Sequence, residues 1–176
     1  MRVDEFKSLV ARGGGLAQSN RFQVILPQVA GSPLNVNDLN ILCKEASLPG
    51  RQMTSIERTI GLQQQKVAWG YAVTETNLTF HLLNDYNVRK HFELWQNLVV
   101  DQTTFEVGYY NDYVKPVKIY QLDKNGNKKY GVELLEAYPT TMNSITLNNT
   151  QDEIVELSVS LSYKNWKTLA AGGGGR

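Results

Sequence analysis

The sequence has a single cysteine, Cys43, and two histidines, His81 and His91. One cysteine rules out an intramolecular disulfide and any zinc site built on paired cysteines. A reducing cytoplasm is the simplest setting in which such a chain folds. Neither sign of charge is in excess: 18 Lys and Arg stand against 17 Asp and Glu. That balance offers no footprint for tight nucleic-acid binding and little self-repulsion to oppose association of copies. Long apolar runs are also missing. No stretch approaches the ~18 apolar residues of a membrane span. The opening MRVDEFKSLVARGGG lacks the unbroken apolar core of a signal peptide. The expectation is a chain with no membrane anchor. Asn77-Leu78-Thr79 and Asn148-Asn149-Thr150 then read as chance matches to a glycosylation signal.

Catalytic constellations are equally scarce. His81 falls on the polar side of a strand-like run, and His91 follows Arg89 and Lys90 on the expected wet side of a helix. Neither has Cys, Asp or Glu at ligand spacing. There is no G-x-S-x-G elbow. Gly13-Gly14-Gly15 follows no strand and precedes no G-K-[ST], so it reads as a linker, not a phosphate loop. Cys43 lies on the apolar side of its run and reads as a buried, inert thiol. Asp152, Glu153 and Glu156 cluster near the start of the last strand-like run, where a solvated edge is a simpler reading than paired glycosidase acids. The expectation is no cofactor, no metal and no enzymatic activity.

What the sequence does have is strand after strand. Val3, Phe6, Leu9 and Val10 have helical spacing, so residues 1–20 read as an arm with a short helix. Arg21 to Leu26 and Leu39 to Ala46 read as the first two strands, with Leu39, Ile41 and Cys43 on one side. Residues 47–66 show no period and read as a loop of about twenty residues, long enough to expect a function for it. Lys66 to Val73 is a weaker strand. In Thr76 to Leu83, Leu78, Phe80 and Leu82 alternate with polar residues. Asn84 or Asp85 is placed to cap a helix in which Val88, Phe92, Trp95 and Val99 form one apolar stripe. Residues 101–113 are irregular and rich in tyrosine. Val117 to Leu122 and Lys129 to Ala137 flank Asn125-Gly126, a hairpin signal of the type I′ kind, and Pro139 is expected to close the second arm. From Glu153 to Tyr163 the alternation is clean. Val155, Leu157, Val159, Leu161 and Tyr163 face one way, and Glu156, Ser158, Ser160 and Ser162 the other, so one face is buried and one wet. The predicted class is mainly β, an antiparallel sandwich or barrel with one flanking α-helix over residues 21–166. A flexible glycine-rich tail is expected over 167–176.

Four stretches, in order, resemble the tail tube proteins of contractile-tailed bacteriophages: RFQVIL (21–26), LNILCKEASLPG (39–50), TNLTFHLLNDYNVRKHFELWQNL (76–98) and YGVELLEAYPTTMNSITLNNTQDEIVELSVSLSYKNW (130–166). The tubes of type VI secretion and of phage-like contractile injection particles share that fold. The resemblance implies hexameric rings stacked into an inner tail tube, within a contractile sheath and above a baseplate, that passes DNA during genome ejection. It implies as partners further copies of the chain, the sheath, baseplate, tail terminator and tape measure proteins, and DNA held without sequence-specific binding. The implied location is the virion tail, assembled in the bacterial host cytoplasm. It also implies that segment 47–68, with Pro49, Arg51, Arg58 and Gln64, contacts neighbouring subunits and the next ring.

Glu156, Ser158, Ser160 and Ser162 are candidates to line the lumen, since small polar groups and a negative charge would let phosphates slide. An outer solvent face remains the alternative, because alternation fixes faces and not their surroundings. Two rival functions stay open: the inner tube of an injection or type VI secretion system, and a β-sandwich binding module that presents Tyr109, Tyr110 and Tyr113 to a protein or glycan.

Overall fold

The computed structural model describes residues 3–149 and 154–170. The chain runs α1 (Val3–Arg12), β1 (Phe22–Ile25), α2 (Val36–Leu42), β2 (Cys43–Ala46), β3 (Arg51–Ile60), β4 (Gln63–Val73), β5 (Thr76–His81), α3 (Asn87–Val99), α4 (Tyr110–Tyr113), β6 (Lys115–Leu122), β7 (Lys128–Met142), β8 (Glu156–Ser162) and β9 (Asn165–Leu169). Every strand pairing is antiparallel. The main sheet has the order β1-β6-β7-β8-β5-β2, with β9 also paired to β7, and β3 with β4 forms a separate two-stranded sheet.

β7 joins the two halves of the main sheet. Its first part pairs with β6 and β9, and its last part, Tyr138 to Met142, pairs with β8. Between them Glu136 has a φ of 53°. A left-handed non-glycine residue costs roughly 1–3 kcal/mol, so the surroundings must hold it. Lys164 Nζ lies 2.9 Å from one Glu136 carboxylate oxygen, and the Tyr110 hydroxyl donates to the other at 2.8 Å. The expectation that Pro139 ends this strand is corrected. Pro139 stands opposite Leu161 at a register shift, where a residue with no N–H is tolerated, and the strand continues past it.

The core lies between the halves of the sheet and α3. Leu78 and Phe80 from β5, Leu157, Val159 and Leu161 from β8, and Val132 and Leu134 from β7 are buried with Val88, Phe92 and Trp95 from α3. The rings of Phe80 and Phe92 are 5.2 Å apart. The predicted helix stripe holds for Val88, Phe92 and Trp95, whereas Val99 is only half-buried. The N-cap is Tyr86, in a left-handed conformation with a φ of 54°, and not Asn84 or Asp85, although the Asp85 carboxylate does accept the Asn87 N–H at 3.1 Å.

His91 is a correction. It takes the fourth place on the buried stripe, three residues after Val88 and four before Trp95, and is fully buried. Its Nδ1 is 2.8 Å from the Ser32 hydroxyl, and the Phe92 and Trp95 rings meet it edge-on. Burial pushes its pKa down from 6.5 to about 4, with no acid nearby to offset the lost hydration. The unfolded chain therefore binds more protons than the folded one between those values. The contribution of the neutral ring is complete above pH 6.5 and is lost as pH falls toward 4. At about 1.4 kcal/mol per unit the loss is on the order of 3 kcal/mol. Urea midpoints are expected to drop between pH 7 and pH 4 in the parent chain, and less steeply in His91→Gln.

Three other segments differ from expectation. Residues 36–42 form α2 and not a strand, which leaves Leu39 buried and turns Ile41 out to solvent. The Asn-Gly turn is also of another kind. Only Gly126 takes a positive φ, 82°, and the Asp123 carboxylate accepts the backbone N–H groups of Asn125 and Asn127. Leu122 pairs with Lys128 across it. That is the longer hairpin loop closed by a left-handed glycine. β9 extends regular structure beyond Trp166 as far as Leu169, into the stretch expected to be tail. Residues 171–176, and Asp152 and Glu153 of the acidic cluster, lie outside the described residues.

Candidate functional site

Two surfaces stand out. The first is the wet face of the half-sheet formed by β2, β5, β8 and the end of β7. In β8 Leu157, Val159 and Leu161 are buried, Ser158, Ser160 and Ser162 are half-buried, and Glu156 is exposed. Their partners on β5 are polar as well: Asn77 opposite Ser160, Thr79 opposite Ser158 and His81 opposite Glu156. The hydroxyls of Ser158 and Thr79 are 3.3 Å apart, and Ser160 donates to the Asn77 amide oxygen at 2.8 Å. The four residues singled out by alternation therefore share one face, and β5 doubles it.

The charge on that face differs from expectation. Glu156 is not a free anion. Lys44 of β2 lies 2.6 Å from its carboxylate and His81 3.7 Å from it, and the Lys44 hydrogen bond holds its carboxyl below the usual range. The pair cancels, so the face presents hydroxyls and amides with little net charge.

The second surface is the β3–β4 hairpin. The expectation of a loop over 47–68 is corrected: Arg51 pairs with Val73 and the ladder continues to Ile60 with Gln63. Gly61, with a φ of 64°, turns the chain at the tip, as a two-residue primed turn requires. The ladder escaped the sequence because neither face is buried in the subunit, so nothing imposes alternation. Apolar side chains stand in solvent on it: Met53 is 63% exposed, Ile56 52%, Trp69 76% and Tyr71 51%. Met53 and Tyr71 are register partners, and Trp69 sits where the register slips by one residue. Pro49 lies just before the hairpin, Arg58 and Gln64 near its tip, and Arg51 at its root. A two-stranded ribbon is marginal by itself in water. One that carries this much apolar area asks for a covering surface.

The tyrosine-rich segment is partly tied down by its own contacts. Tyr110 bonds to Glu136, which pushes its pKa up to about 12, and it packs edge-on against Tyr113, which in turn meets Tyr138. Tyr109 is 84% exposed and Tyr110 45%, and Phe105 and Val107 of the same segment are 80% and 75% exposed. Cys43 is half-buried, and burial pushes its thiol up to about 12, which makes it a poor nucleophile. Among the described residues no three His, Cys, Asp or Glu side chains stand together as a metal site. No described helix is long and apolar enough to cross a membrane.

The structure thus sets a half-sheet with one polar face beside an exposed apolar hairpin. The profile of the phage tail tube protein family matches residues 17–169. The chain belongs to that family. Its place there is structural: these are tube proteins and not enzymes. Among curated proteins no sequence match is found.

The fold agrees with solved structures of contractile particles. A chain of the anti-feeding prophage cap, the tube-terminating cap, is 18% identical over 89% of this tail tube family member and 92% of its own length, with a TM-score of 0.66. A chain of the anti-feeding prophage baseplate is 14% identical, covering 89% and 97%, at 0.64. A chain of the sheath-tube complex of an extracellular contractile injection system in its extended state is 16% identical, covering 88% and 92%, at 0.59. At these identities the likeness is one of fold.

Proposed function

We propose that this chain is the repeating subunit of an inner tail tube, closed as hexameric rings that stack inside a contractile sheath. One observation carries the reading. The β3–β4 hairpin leaves both faces, and Met53, Ile56, Trp69 and Tyr71 with them, uncovered in the single subunit. Heterologous contacts that close on themselves, repeated from ring to ring, would cover such a ribbon on both sides. The free margins of β1 and β2 point the same way, since an unpaired strand edge invites pairing with another chain.

The wet face of β8 and β5 then lines the channel. A cargo of DNA passes a wall of Ser158, Ser160, Ser162, Asn77 and Thr79, where no unpaired cation grips phosphate. Lys44 is already engaged with Glu156. The tape measure protein occupies the same channel before DNA, and the sheath, the baseplate and a terminator meet the outside and the two ends. Subunits would be made in the bacterial cytoplasm and act in the virion tail. The fold shared with the anti-feeding prophage and injection-system chains favours a second reading, the same tube in a phage-like contractile injection system.

Ser158→Arg with Ser160→Arg tests the lumen. Each ring would gain cations that hold phosphate, so genome ejection is expected to slow at least about tenfold at low salt and to recover as salt rises. Normal ejection from tubes that carry these arginines in the lumen would contradict the assignment. Tubes purified with protein inside and no DNA would favour the second reading.

A further inference from the structure

We propose that Arg51 is a positioning residue: it sets the angle at which the β3–β4 hairpin leaves the body. Its guanidinium lies between two rings, 4.6 Å from the centre of Trp166 and 4.9 Å from that of Tyr71. Nη2 donates to the Asn165 side-chain oxygen at 3.1 Å and to the Trp166 carbonyl at 3.3 Å. Asn165 donates in turn to the Tyr71 hydroxyl at 2.9 Å. Trp166 and Asn165 belong to β9, which is laddered to Leu134 and Leu135 of β7. One side chain thus ties both strands of the hairpin to the rigid sheet. Among the described residues, the hydrogen bonds, ion pairs and ring contacts that join β3 and β4 to the body all lie at this root. Further out, the bonds among the described residues run between β3 and β4 themselves.

Leverage makes the root matter. β3 has ten residues, so it reaches roughly 33 Å. A swing of about 10° at the base moves the tip by about 6 Å, more than the ~4.8 Å spacing of adjacent strands. A loose root would therefore carry Arg58, Gln64 and the tip past their intended contacts. A planar guanidinium suits the task because it stacks on two rings while donating in its own plane, which an ammonium cannot do. The link to assembly rests on the tube reading above. The clamp itself does not, since it is visible in the single subunit.

The experiment places spin labels at Thr59→Cys and Asn97→Cys in a Cys43→Ala background and measures the distance distribution in the soluble subunit. The parent is expected to be narrow. Arg51→Ala and Arg51→Lys are expected to broaden it about twofold or more, with unchanged circular dichroism and a thermal midpoint close to the parent's. Trp166→Phe, which keeps a ring, stays close to the parent. Arg51→Ala with Trp166→Ala is no broader than Arg51→Ala alone. A residue that only adds stability would move the midpoint and leave the width alone. Unchanged width in Arg51→Ala, or full rescue by Arg51→Lys, overturns the clamp. A broadened Arg51→Ala that still builds rings as the parent does would confirm the clamp and overturn the docking role of the hairpin.

Discussion

Trp69→Asp combined with Met53→Asp leaves the subunit folded and abolishes its assembly. Both side chains are largely exposed in the single subunit, at 76% and 63%, so the fold loses little when they change. In an assembly the same side chains would be covered. Each buried large apolar group contributes about 1.5–3 kcal/mol, and a desolvated carboxylate in its place costs more. Two such changes at every interface raise the concentration needed for assembly by about 100-fold or more. Sedimentation and negative-stain imaging check this against circular dichroism of the same samples. Rings or tubes from the double variant at parent concentrations would show that the hairpin is not an interface.

Trp95→Ala has the largest expected effect on the subunit itself. Trp95 is fully buried on α3, its ring lies 6.4 Å from that of Phe92, and its indole N–H donates to the Tyr113 carbonyl at 2.7 Å. Truncation leaves a cavity between α3 and the sheet and takes the donor from the half-buried Tyr113 carbonyl. Losses at such sites run to about 3–5 kcal/mol. For a chain of this size that is on the order of 10 °C or more in Tm. Thermal unfolding followed by circular dichroism provides the measurement. A shift of only a degree or two would mean that α3 is peripheral to the core.

These two residues also mark where the sequence was legible. Trp95 belongs to a stripe whose period is imposed by burial within one subunit, so the pattern shows. β8 is readable for the same reason: Leu157, Val159 and Leu161 are buried and the serines between them are not. Trp69 belongs to a ribbon with no buried face of its own. Its neighbours Gln63, Gln64 and Gln65 give no alternation, and only Gly61 hints at the turn. The remaining errors have local causes. Leu39 and Ile41 look like one face of a strand, but a helix puts them on opposite sides. His91 looks wet beside Arg89 and Lys90, yet its spacing from Val88 puts it inside. Glu156 looks like a free charge, because Lys44 is distant in sequence and reaches it only through the pairing of β2 with β5 and β5 with β8.

The candidate site shows the same division. Alternation named Ser158, Ser160 and Ser162 correctly as one polar face, and was silent on Asn77 and Thr79 as their continuation, which depends on strand order. The segment 47–68 reads as a loop in the sequence and is largely a hairpin in the structure. Its residues then separate by place: Arg51 turns back onto the body, while Arg58 and Gln64 sit out near the tip.

Reconstruction of the assembled particle by cryo-electron microscopy tests the account most directly. A ring of six copies is expected, with Ser158, Ser160 and Thr79 on the channel wall and Trp69 covered by an adjacent copy. A wall built from another face of the chain, or a Trp69 left in solvent in the finished assembly, would contradict it.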